Sequence, residues 1–172
     1  MVKIAKEGIR LRNAPLYGPG RLGPEHVVPH RFDNVVVGEL MGPIEYVIKP
    51  ETHTKNLDFL NIYHRWFWED SPWGGPIALP NETWCQARVL SRWKYGPMNR
   101  QLWVSTEWEF HKPALVGQKV YAWLRVLDKY WKRGKPYVRT ESWTEDEKGE
   151  VYLRQVEELV LLLDMPEDAK LR

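Results

Sequence analysis

Between Asp58 and Gly74 the chain carries one histidine, His64, followed closely by two carboxylates, Glu69 and Asp70. An imidazole titrates near neutrality and can pass a proton in either direction, while a neighbouring carboxylate can orient the ring or act as the base itself. These three residues are therefore a candidate general acid/base set. The same residue types, with Arg65 beside them, also make ordinary solvated ion pairs. Their spacing does not put them on one helical face, so the chemistry requires a turn at Trp66 to Trp68 that brings one acid back over His64. His53 and His111 are weaker candidates, one at a helix start and the other in a turn that ends a strand.

Two further features surround this set. Gly74 and Gly75 precede an expected helix N-terminus, where free N–H groups and the positive end of the helix dipole favour a developing oxyanion. Close packing of a glycine loop explains the same pair without any ligand. Asn81 stands where it can cap that helix or reach a substrate. Trp66, Trp68, Trp73 and Trp84 crowd the same stretch, with Tyr63 beside them. That density suits a pocket for a flat or bulky apolar group, and each indole taken singly also suits a core. The candidate substrate-binding residues are thus Tyr63, Trp68, Trp73, Gly74, Gly75, Asn81 and Trp84.

Other chemistries have no support in the sequence. No metal-ligand spacing, nucleophile elbow or phosphate-binding loop is present, so neither a metal nor another cofactor is expected. Cys85 is the single cysteine and reads as a packed thiol in a helix, so the fold needs no disulfide and no oxidising compartment. A net charge of +2 with dispersed basic residues argues against a nucleic-acid partner. No apolar run reaches the roughly 18 residues of a bilayer helix, so no membrane partner is expected and the reading is cytoplasmic.

The elements that must hold these groups follow from periodicity. Residues 1–31 are punctuated by Pro15, Gly18, Gly20, Gly23 and Pro24 and read as an arm, anchored by Leu16, Tyr17, Leu22, Val27 and Val28, that wraps the domain or packs on a second subunit. A helix is expected from Thr54 to about Trp66 and a second, central one from Pro80 or Asn81 to Tyr95. Leu102, Val104, Thr106, Trp108 and Phe110 alternate with polar residues as in a half-buried strand, and Val120 to Val126, Tyr137 to Thr144 and Val151 to Leu163 supply further strands. The result is an α+β domain over residues 32–172, an antiparallel sheet of five or six strands wrapped around one long helix.

Particular phrases within those elements resemble a known family. Trp108-Glu-Phe-His-Lys-Pro-Ala-Leu-Val-Gly-Gln-Lys-Val120 followed by Val126-Leu-Asp-Lys129, together with Phe32 to Glu39, Gly42 to Ile48 and Ser71 to Pro80, is similar in order to the MaoC-like, hot-dog-fold dehydratases and hydratases. The resemblance spans roughly residues 32 to 163 and implies a single hot-dog fold. It also implies a hydro-lyase acting on an acyl thioester, such as an enoyl or 3-hydroxyacyl coenzyme A ester, or on a related carbonyl compound. In the hydratase branch an Asp-x-Asn-Pro-x-His phrase activates water, whereas here the corresponding segment offers Tyr63, His64, Arg65, Glu69 and Asp70. A catalytically silent binding module, a partner subunit of a heteromeric hydratase and a hot-dog thioesterase stand as alternatives. Exposed strand edges imply a homodimer or dimer-based oligomer. Coenzyme A phosphates would find basic groups at Lys129, Lys132, Arg133 and Lys135, which otherwise are solvated turn residues.

Overall fold

A computed structural model describes residues 9–11, 28–95 and 101–165, with the side chains of residues 9–11, 85, 86 and 163 outside the description. Of the arm, Ile9–Leu11 (β1) and residues 28–31 are described; the latter lie on the domain, with the Val28 N–H donating to the Lys94 carbonyl at 2.9 Å and His30 stacked on Tyr95, while the rest of the arm and the expected packing of the Cys85 thiol lie outside the described residues. Five strands form an antiparallel sheet: Leu40–Val47 (β2), Gln101–Phe110 (β3), Lys119–Lys132 (β4), Lys135–Glu145 (β5) and Val151–Leu161 (β6). The sheet order is β1-β2-β4-β5-β6-β3, and β1 adds to β2 in parallel. Two tight hairpins, β4 to β5 and β5 to β6, explain the neighbouring order in the middle of the sheet. β3 instead pairs with β6, and among the described residues no strand pairs with its other side.

The long helix Pro80–Tyr95 (α3) crosses one face of the sheet, so the expected wrapped-helix architecture is present. Its start follows from chemistry: Pro80 is preorganised for the first helical position, and the Glu82 carboxylate accepts the Leu79 N–H at 2.9 Å, closing the first turn. Ala87, Leu90 and Tyr95 bury against Ile44, Ala122, Leu124, Val126, Val138 and Leu161. Gly42 permits the close approach of β4 to β2 under Leu90, since its φ of +114° suits glycine and a Cβ there would stand 2.7 Å from the Ala122 carbonyl oxygen and 3.3 Å from Leu90 Cδ1. Beside the apolar contact runs a polar seam. Arg88 of α3 donates to Glu157 at 2.6 Å, Thr140 donates to the same carboxylate at 3.2 Å, and the Trp84 indole donates to Gln155.

Two expectations change. The first helix is Pro50–Leu60 (α1) rather than Thr54 to Trp66. Pro50 starts it, and Asn61 ends it by adopting a left-handed conformation (φ 53°), which asparagine tolerates better than most residues. A single helical turn, Arg65–Trp68 (α2), follows with His64 at its N-cap. The second change concerns β3. Residues 102–110 are exposed throughout rather than half-buried: among the described residues β3 is an edge strand, and a register irregularity between Trp103 and Ser105 breaks the alternation.

Candidate functional site

A cavity of about 300 Å³ opens where α2, the start of α3 and the chain leaving β3 meet. Phe67, Ile77, Ala78 and Pro80 line one side, and Phe110, Pro113, Ala114 and Leu153 line the other. A short backbone ladder fixes the two sides relative to each other. Val116 N–H donates to the Pro76 carbonyl at 2.9 Å, and Ala78 N–H donates to the Ala114 carbonyl at 2.8 Å. The Ile77 N–H reaches back to the Trp66 carbonyl at 2.8 Å, which ties α2 to the same wall. Four polar residues complete the lining: Thr83, His111, Lys112 and Tyr152.

Behind the wall lies a buried ion pair. His53 Nδ1 meets the Glu82 carboxylate at 2.7 Å, and its Nε2 meets the Phe67 carbonyl at 2.7 Å. Both ring nitrogens face acceptors, so each carries a proton and the ring is an imidazolium. Burial disfavours that charge, but the Glu82 hydrogen bond, the Phe67 carbonyl and the Glu82 charge outweigh it and hold the His53 pKa above the ordinary value. Burial likewise disfavours the Glu82 carboxylate. The hydrogen bonds from His53, Asn56 and the Leu79 N–H prevail, and its pKa lies below the ordinary value. The pair joins α1, α2 and α3 at one point. It holds Phe67 and the first turn of α3, both of which line the cavity, and it has no free nitrogen left for proton transfer.

The sequence-derived acid/base set is not brought together. His64, Glu69 and Asp70 are all exposed, and none lines the cavity. The His64 Nδ1 accepts the Trp66 N–H at 3.3 Å as an N-cap, and among the described residues no hydrogen bond joins it to either carboxylate. The reason is the left-handed Asn61, which ends α1 early, so that His64 begins α2 and Glu69 ends it.

The candidate substrate-binding residues are dispersed in the same way. Tyr63 is 75% exposed and donates to Asn61, and Asn81 is exposed on α3, whose first turn Glu82 closes instead. Gly74 and Gly75 close a turn rather than frame an anion. The Gly74 N–H goes to the Ser71 carbonyl at 3.0 Å, and the Gly75 carbonyl accepts the Ser71 hydroxyl at 2.5 Å. The tryptophans split into two groups. Trp66 meets Trp73 edge-on at 5.6 Å and Trp68 donates to the Ile62 carbonyl, whereas Trp84 stacks on Trp103 at 5.2 Å over the sheet. None of the four lines the cavity.

The residues that do line it were in view for another reason. Phe110-His111-Lys112-Pro113-Ala114 is the strand-ending phrase that carries the fold resemblance, and it forms one whole wall. A histidine directly after a strand end and before a proline turn was the available signal. The basic Lys129 to Lys135 hairpin lies at the far end of the sheet. It neighbours the Leu161 end of β6, whereas Leu153 lies at the cavity, about 25 Å away at the usual strand rise. Among the described residues no group of three or more metal-ligating side chains occurs, and no helix is long and apolar enough to cross a membrane.

Comparison with solved structures identifies the architecture. The 3R-hydroxyacyl-ACP dehydratase complex HadBC of Mycobacterium tuberculosis matches with a TM-score of 0.63 at 17% identity, over 74% of this chain and 98% of that one. The R-hydratase of Pseudomonas aeruginosa matches at 0.62 and 13%, over 76% and 84%. A MaoC-like dehydratase of Rhodospirillum rubrum matches at 0.61 and 17%, over 76% and 94%. The fold is the hot-dog fold of these structures. No family profile matches the sequence, and no curated protein does. At these identities the hot-dog likeness concerns the fold alone, and the activity must be argued from the site.

Proposed function

We propose that this hot-dog protein binds an acyl thioester and acts on it as a hydratase or dehydratase, with the acyl group in the cavity beside α3. The observation that carries this reading is the cavity itself. Its volume of about 300 Å³ falls in the range of small-molecule sites, and its wall is apolar with a few polar side chains among the lining. Solved structures of the same fold are described as hydratases and dehydratases, in agreement with that chemistry. The test is a series of 2-enoyl coenzyme A esters of increasing chain length, followed by loss of the conjugated enoyl absorbance, with released thiol measured in parallel. Loss of absorbance without thiol supports the reading. Thiol release supports the thioesterase alternative, and the absence of both binding and turnover overturns the reading.

A second reading rests on a specific observation. His64, Glu69 and Asp70 stand at the surface and His53 is saturated, as expected of a binding half whose partner supplies the chemistry. The free edge of β3, with Leu102, Trp103, Val104 and Phe110 exposed, is where a second hot-dog subunit would add. We read the functional unit as a dimer formed there. Light scattering at micromolar concentration distinguishes the cases: a homodimer active alone fits the enzyme, whereas thioester binding without turnover fits the partner subunit.

A further inference from the structure

We infer that Leu153 closes the inner end of the cavity and so sets the length of acyl chain the protein accepts. The inference rests on the thioester reading above and adds the residue that selects among thioesters.

A second, narrower space of about 150 Å³, too tight for a water molecule, lies between α3 and the sheet. Trp84 and Ala87 of α3 bound it, with Ser142, Thr144 and Gln155 of the sheet. Leu153 lines this recess and the cavity alike. The strand register explains how one residue does both. Leu153 pairs with Phe110 of β3 on one side and with Thr144 of β5 on the other, and residues directly opposite one another in a sheet share a face. Phe110 belongs to the cavity and Thr144 to the recess, so Leu153 stands between them. The division repeats along the helix. Thr83 lines the cavity, and Ala87, one turn further on, lines the recess. Leu153 is 4% exposed and packed in the main core, where close packing holds a side chain in place, so it acts as a fixed partition.

A bulge sets the partition at the cavity. Between the pairs Thr144–Leu153 and Glu145–Val151, β6 carries one residue more than β5, and the extra residue is Tyr152. Neighbours on a regular strand point to opposite faces, whereas Tyr152 and Leu153 are both buried and both line the cavity. The recess behind them is polar. The Trp84 indole and the Ser142 hydroxyl both donate to Gln155 Oε1, the latter at 3.2 Å, and among the described residues the buried Thr144 hydroxyl has no hydrogen-bond partner. An alkyl chain that stops at Leu153 never meets that hydroxyl, and one that passes Leu153 does. Thr144 therefore reports how far the chain reaches.

The experiment measures affinity for straight-chain saturated acyl coenzyme A esters of increasing length, in the full chain, for wild type, Leu153→Ala, Leu153→Val and Thr144→Val. Circular dichroism and thermal melting check that each variant is folded. Wild-type affinity should rise with chain length to a limit and then fall. Leu153→Ala is expected to move that limit up by about three carbons, the number of atoms removed. Esters just beyond the wild-type limit should gain about 10-fold or more in affinity, as two or more further methylenes are buried. Leu153→Val, a milder truncation that keeps the test open where Leu153→Ala does not fold, should move the limit the same way by about one carbon. Thr144→Val should leave the wild-type profile unchanged and raise long-chain affinity only when combined with a Leu153 truncation. An unchanged limit in the folded Leu153 variants overturns the assignment and leaves the thioester reading in place. So does a wild type without an upper limit, or a Thr144→Val change that by itself moves the limit. A wild type that binds no ester of any length removes the thioester reading and the assignment with it.

Discussion

His53 and His64 sit on consecutive short helical segments and have opposite fates. His53 is buried, bonded at both nitrogens and charged, whereas His64 is exposed and caps a single turn. The sequence favours His64, because it lies nearest the acids and the glycine pair. The difference teaches that nearness in sequence to a carboxylate is a poor guide to partnership. The carboxylate His53 uses, Glu82, comes from the next long helix. A fully paired imidazole positions structure.

The comparison breaks most severely at Glu82. Glu82→Ala leaves the His53 charge buried without its partner and removes the group that closes the first turn of α3, so the expected loss is about 3 to 5 kcal/mol in urea unfolding at pH 6. A loss below about 1 kcal/mol, the scale of an exposed pair, would show that the pair is not an anchor. A His53→Ala/Glu82→Ala double-mutant cycle should recover a large coupling between the two.

The pH dependence of stability sharpens the same point. Because the His53 pKa is raised in the folded state, its contribution is full below the unfolded value of 6.5 and is lost as pH rises through the higher folded value. Because the Glu82 pKa is lowered, its contribution is full above the unfolded value of 4.5 and is lost as pH falls through the lower folded value. Both are complete only between pH 4.5 and 6.5. The stability difference between wild type and the double variant should therefore be largest in that window and shrink on either side. A difference that is flat across pH would exclude the ion pair as its source.

Smaller effects are expected on the exposed side. His64→Ala removes only a helix cap, worth about 1 kcal/mol or less, and turnover should be nearly unchanged rather than reduced by the roughly 10²-fold of a working base. A large turnover loss in a folded His64→Ala protein would return the chemistry to the α2 surface. Trp73→Ala, at a half-exposed indole off the cavity, should alter stability by no more than about 0.5 kcal/mol and leave thioester affinity intact. A marked affinity loss there would relocate the binding site.

What the sequence determined by itself was local. Alternation along 120–126 and the runs 137–144 and 151–163 marked strands, Pro80 and the run through Tyr95 marked α3, and the Pro113 and Gly117 turn tied two strands into a recognisable order. Those signals lie within about ten neighbouring residues, where period and turn chemistry act directly. The tertiary structure alone decided that β3 is an edge among the described strands and is exposed along 102–110, that Asn61 ends α1, and that a wall read as a fold signature is the lining of a cavity. It also decided which histidine is spent on structure. Burial and partnership depend on groups brought together from distant parts of the chain, such as His53 with Glu82 or Ala78 with Ala114, and no periodicity encodes them.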